Sequence, residues 1–109
     1  MATNTFKSSP YKNVGTSAVA VYTCPASTQT TLIGLSMSNT TSSPITTSAY
    51  ITRSAVNYYL ISGATVPVGS SLVIVGGDQK VVLQAADVLY VINSVASSGD
   101  AFCSYLEIS

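Results

Sequence analysis

The chain has 109 residues, enough for one domain with one modest core, and its four Lys and Arg balance its four Asp and Glu to a formal net charge of zero. Charged residues are only 7% of the chain, against about 25% in an average domain, and serine and threonine fill the gap. Lys7, Lys12, Arg53 and Lys80 are too scattered for the clustered phosphate contacts of a nucleic-acid binder, the apolar runs fall far below the roughly 20 residues that span a bilayer, and histidine, the commonest general base and metal ligand near neutral pH, is absent.

In chain order, residues 1–16 come first. "MATNTFKSSPYKNVG" has no charged start followed by an apolar stretch, so no secretory signal is expected and synthesis in a cytoplasm is. It lacks a strand's alternation and carries Pro10, which predicts an extended N-terminal arm, mobile by itself and pinned by a neighbouring subunit. Phe6 and Tyr11 stand out as aromatic anchors within it; the alternative is an arm folded back on its own sheet. Removing residues 1–12 is then expected to leave the rest folded.

Residues 17–109 read as one β-sandwich domain. "SAVAVYT" (17–23) is the first strand, closed by Cys24-Pro25 because proline cannot continue a paired ladder. "TTLIGLSMS" (30–38) alternates, with Thr31, Ile33, Leu35 and Met37 on one face and Leu32, Gly34, Ser36 and Ser38 on the other. "ITTSAYITR" (45–53) places Ile45, Thr47, Ala49 and Ile51 on one side and Thr46, Ser48, Tyr50 and Thr52 on a second side, wet or covered by a partner. Five more segments rich in β-branched and aromatic residues follow: 57–62, 70–75, 80–84, 87–93 and 101–108. Gly76-Gly77-Asp78 predicts a hairpin, Ala85-Ala86-Asp87 a tight polar corner, and Ser98-Gly99-Asp100 a turn that tolerates positive φ. About eight short strands with turns every 8–12 residues, and no βαβ alternation, predict an all-β fold: a single antiparallel sandwich, jelly-roll-like.

Chemistry is sparse. Of Asp78, Asp87, Asp100 and Glu107, three fall in predicted turns, where aspartate serves backbone hydrogen bonds, so no catalytic carboxylate pair is expected. Cys24 and Cys103 lack metal or redox spacing and lack a group that would activate a thiol; two buried free thiols are expected, with a bridge feasible only if the first and last strands lie side by side. Gly76-Gly77 is too short for a phosphate loop. No catalytic, cofactor-binding or metal-binding residue is expected, no small-molecule substrate, and no enzyme activity.

Contact surface is the remaining route to function. Tyr50, Tyr58 and Tyr59 offer large rings at low entropy cost, and adjacency in a strand predicts that one of Tyr58 and Tyr59 faces in and the other out. Eight β-rich strands with hardly any charged gatekeepers suit a chain whose edges and faces are covered in an ordered assembly.

The segments "VYTCPASTQTTLIGLSMSN", "NYYLISGATVPVGSSLVIVGGDQKVVLQAADVLYV" and "SYLEIS" resemble small virion structural proteins of tailed bacteriophages, especially those of aquatic bacteria and cyanobacteria, over about residues 14–108. The Gly-Gly-Asp-Gln-Lys run, the "VVL" after it and the acidic corner are its most specific part. Similar sequences carry Ala at Cys24 and Gly-Asp at Ala86-Asp87, which argues against a role for that thiol. The resemblance implies a virion component and brings no catalytic residue. Within a virion, the expectation is a capsid decoration, or cement, protein on the outer head surface, binding the major capsid protein and copies of itself as a homotrimer, with Phe6, Tyr11, Tyr50, Tyr58 and Tyr59 as interface residues. A neck, tail or fibre-base component is the alternative, and a carbohydrate-binding receptor module the second.

Overall fold

A computed structural model describes residues 3–76 and 80–109, which form nine strands. They are β1 (Asn4–Val14), β2 (Val19–Thr23), β3 (Gln29–Asn39), β4 (Ile45–Arg53), β5 (Val56–Val66), β6 (Ser71–Val75), β7 (Val81–Leu83), β8 (Val88–Asn93) and β9 (Gly99–Ile108). Sheet I has the order β1-β9-β3-β6, with β7 also on β3; sheet II has the order β2-β8-β4-β5. All pairings are antiparallel. Strands from both ends of the chain alternate within each sheet, the double Greek key of a jelly roll.

The strands on either side of the hairpin expected at residues 76–78, β6 and β7, do not pair with each other. β6 pairs with Leu35–Ser38 and β7 with Thr30–Leu32, so both run in one direction along the same edge of β3 as a single interrupted strand. Glycine there signals tolerance of unusual φ, which does not by itself reverse a chain; Gly77, Asp78 and Gln79 lie outside the described residues.

The leader is a strand as well. β1 pairs with β9 from Asn4↔Ile108 to Tyr11↔Ala101, and Thr3 and Ser109 exchange two backbone hydrogen bonds (2.7 and 3.0 Å) beyond it. Residues 4–14 are thus the edge of sheet I, the folded-back arrangement. Pro10 is tolerated because an edge strand leaves one side of its ladder unpaired.

The core lies between the sheets. Leu32, Leu35 and Met37 of β3, Ala101, Cys103 and Tyr105 of β9, Ala49 and Ile51 of β4, and Leu89 and Val91 of β8 point into it. Full burial of each large aliphatic side chain contributes roughly 1.5–3 kcal/mol. The expected alternation holds in β4 and breaks in β3. A bulge between Leu32 and Gly34 inserts one residue, so Leu32 turns inward and Ile33 outward, opposite to the strict period of two.

Asp87 builds the corner before β8 as expected. Its carboxylate accepts from the Gln84 backbone N–H (2.8 Å) and from Arg53 Nε (2.9 and 3.0 Å), while Ala86 takes φ 74°. The turn expected at Ser98–Asp100 sits earlier, with positive φ at Ser97; Gly99 already belongs to β9. Its role is close approach, because a Cβ there would lie 2.8 Å from the Ser38 carbonyl oxygen, Met37 Sδ and Asn93 Nδ2.

Candidate interaction surfaces

Each described acid is committed to the scaffold. The Arg53 guanidinium holds the Asp87 carboxyl below the usual carboxylate range, and Asp100 accepts from the Asn13 backbone N–H (3.1 Å) and faces Lys12 (3.5 Å). Glu107 is held low by the Tyr22 hydroxyl (2.6 Å) and then by Lys7 (2.9 Å). The Tyr22 phenol has one proton, given to Glu107, so the Thr30 hydroxyl donates to the phenol oxygen (2.7 Å). This chain of bonds ties β2 of sheet II to β3 and β9 of sheet I, and Tyr22 packs on Tyr105 with ring centroids 4.1 Å apart. These acids shape turns and join sheets.

Both cysteines are free and buried. Cys24 follows β2 of sheet II and its thiol lies 3.3 Å from the Thr28 carbonyl oxygen, while Cys103 lies in β9 of sheet I between β1 and β3. Burial pushes the Cys103 thiol up to about 12.

The five expected interface residues do not form one site. Phe6 and Tyr11 are exposed on β1 in sheet I; Tyr50, Tyr58 and Tyr59 belong to sheet II. Tyr50 centres a row on the outer face of sheet II, with its ring centroid 5.0 Å from Tyr59 and 5.3 Å from Tyr90. The row crosses β5, β4 and β8 because Tyr50 is in register with both partners. Tyr58 and Tyr59 take opposite faces, Tyr59 beside Tyr50 and Tyr58 beside the inward Ile51, yet both stay exposed, at 58% and 56%. β5 is the edge of sheet II, and Tyr58, beside Ile51, projects where the opposing sheet gives little cover.

A second surface was hidden in the sequence. On the outer face of sheet I, Phe6, Leu106, Thr31 and Val82 form one cross-strand row, and Pro10, Phe102, Ser36 and Val73 another. Phe6 is 74% exposed and Val73 65%, with Val82, Phe102 and Ile33 also exposed. Both phenylalanines of the chain therefore face away from its core. Between the rows lie Ser8, Ser104 and Gly34. At the Phe102 end is a shallow cavity of about 350 Å³, lined by Pro10, Lys12, Ser38, Asp100 and Phe102 among others. "AFCSYLEI" contained the signal, since Phe102 and Leu106 alternate with Ala101, Cys103 and Tyr105 and make both faces apolar.

No family model and no curated protein matches the chain. Among the solved structures that match are these two. One, described as Bacillus endospore appendages forming a novel family of disulfide-linked pili, superposes with a TM-score of 0.58 at 14% identity, covering 97% of this chain and 86% of that one. The other, from infectious bursal disease virus Gt strain, has a TM-score of 0.47 at 8% identity, covering 99% of this chain and 32% of that one. The first likeness establishes the shared β-sandwich fold.

Proposed function

We propose that the chain is a structural subunit of a tailed-phage particle, a decoration protein that lies on the outer head surface and ties neighbouring major capsid protein subunits together. The observation that carries this reading is the pair of exposed outer faces, one with Phe6, Phe102, Val73 and Val82 and the other with the Tyr59–Tyr50–Tyr90 row. Exposed apolar surface of this extent on a small domain marks contact with other macromolecules. A protein that binds the assembled shell and not dissociated subunits shifts the equilibrium toward the intact particle by mass action. No chemistry of its own is part of this role.

The test is binding of purified protein to heads that lack it, compared with dissociated capsid protein. Binding confined to assembled heads, with a rise in their disruption temperature and hundreds of copies per particle, is the expected outcome. Recovery on isolated tails, or six to a few dozen copies per particle, would move the protein to the neck or tail; no binding to either would refute the reading. Point substitutions such as Tyr59→Ser suit this assay better than removing residues 1–12, because losing β1 opens the edge of β9.

A further inference from the structure

We infer that the outer face of sheet I is a self-complementary surface that pairs with the same face of a second copy across a two-fold axis. The inference goes beyond the particle role above: it gives the sheet I face to a second copy of the chain and leaves the Tyr59–Tyr50–Tyr90 row of sheet II for the shell.

The argument begins with register. The Phe6–Leu106–Thr31–Val82 row and the Pro10–Phe102–Ser36–Val73 row lie at equal distances, two positions along β1 and β9, on either side of the Ser8–Ser104–Gly34 row. A two-fold axis lying in the contact plane along this middle row, perpendicular to the strands, lays each outer row on the opposite row of the second copy. Phe6, the most exposed large apolar side chain among the described residues, then projects toward the second copy's Pro10 and Phe102, where the cavity lies. Val82 falls over the second copy's Val73. Both contacts occur twice, as an isologous interface requires.

The middle row suits the axis. Serine and glycine are small, and a Cβ at Gly34 would meet only the Val75 carbonyl oxygen, at 3.6 Å, so the middle row itself presents no large side chain, and the outward Ile33 of the bulge beside it adds apolar surface. No residue of the three rows is charged. Beyond them, Lys12 and Asp100 lie at one end and Asn4 and Gln29, on either side of Ile108, at the other, so the charged groups sit only at the margin of the contact.

Size is adequate. Four strands at about 4.8 Å and eight positions at about 3.4 Å give a face of about 20 by 25 Å, so pairing removes about 1,000–1,300 Å² in total from water. That is the low end for a specific interface and predicts a dimer that dissociates on dilution. The antiparallel strands of the two copies pack as aligned sheets do in a sandwich. A second copy fits better than a charged partner, since a chain of zero net charge does not repel itself and this face has nothing to pair with charge.

Sedimentation of the free full-length protein at concentrations up to about 1 mM tests the idea. A monomer–dimer equilibrium is expected, weakened about 30-fold or more by Phe6→Glu or Val73→Glu, each of which adds two charges to the interface at positions too exposed to disturb folding. A second readout does not depend on those variants. Because Cys24 and Cys103 are buried, Ser104→Cys supplies one accessible thiol beside the axis, and a bismaleimide of about 10 Å should link it to its own counterpart. Ala20→Cys, on the outer face of sheet II, should not cross-link. A strict monomer, a trimer, a dimer indifferent to Phe6→Glu and Val73→Glu, or cross-linking through Ala20→Cys in preference to Ser104→Cys would each overturn the proposal.

Discussion

Tyr22→Phe removes one oxygen from the bond chain that joins the two sheets. The phenol is buried, donates to Glu107 Oε2 at 2.6 Å and accepts from Thr30 at 2.7 Å. A hydrogen bond to a charged acceptor contributes about 1.5–3 kcal/mol, and leaving the fully buried Thr30 hydroxyl with only the weaker Cys24 thiol partner (3.4 Å) adds up to about 1 kcal/mol. The Tyr22–Tyr105 ring contact survives the change. The expected loss at pH 7 is thus about 2–4 kcal/mol, or about 8–16 °C in Tm for a domain of this length. The loss also depends on pH. Glu107 has a folded pKa depressed below 4.5, first by Tyr22 and then by Lys7, so its contribution is present above the unfolded pKa and is lost as pH falls through the folded value. Asp87, depressed by Arg53, weakens both proteins in the same window and cancels in their difference. Urea unfolding of both proteins at pH 7 and at about pH 3 should therefore show a gap that narrows in acid. A gap below about 0.5 kcal/mol at pH 7, or one of equal size at both pH values, would refute the assignment of the phenol as a cross-sheet donor.

Two further outcomes follow from the core. Cys24 and Cys103 should resist a thiol reagent in the native protein at pH 8 and both react in denaturant, and a non-reducing gel should show no disulfide-linked species; fast labelling of either thiol in the native protein would contradict their burial. Gly99→Ala should lower stability by about 1–3 kcal/mol in thermal unfolding, because the new methyl meets the Ser38 backbone carbonyl, which is fixed in the β3 ladder and cannot swing aside.

Strands β2 to β9 were legible because most have one face in the core, and alternation reports burial. β1 was not, because almost every one of its residues is exposed; its place is set by backbone hydrogen bonds to β9, which leave no trace in hydropathy. Ile33 was misplaced for a related reason. A bulge changes parity without changing composition, so "TLIGL" reads equally well with Leu32 or Ile33 inside. The Gly-Gly-Asp run announced unusual backbone freedom, yet the direction taken after it depends on β3, which offers one edge long enough for both β6 and β7. Phe6 stands out in the sequence as an isolated aromatic among polar residues, and it is exposed; its companions Phe102, Val73 and Val82 carry no such mark. A strand that is apolar on both faces does not disclose which face meets its own core and which is left for something else.

The position of β9 in sheet I also bears on how the chain is made. Its residues 99–108 lie between β1, near the start of the chain, and β3. Until residues 99–108 have been made these two cannot be joined, and pairings such as Asn4↔Ile108 close loops that take in β2 to β8. Such long-range closure slows folding, and β1 and the exposed edge of β3 stay open to other chains until it is complete. The sandwich therefore closes only after β9 has been made, and until then the strands that await it are the part of this sequence most open to unwanted pairing.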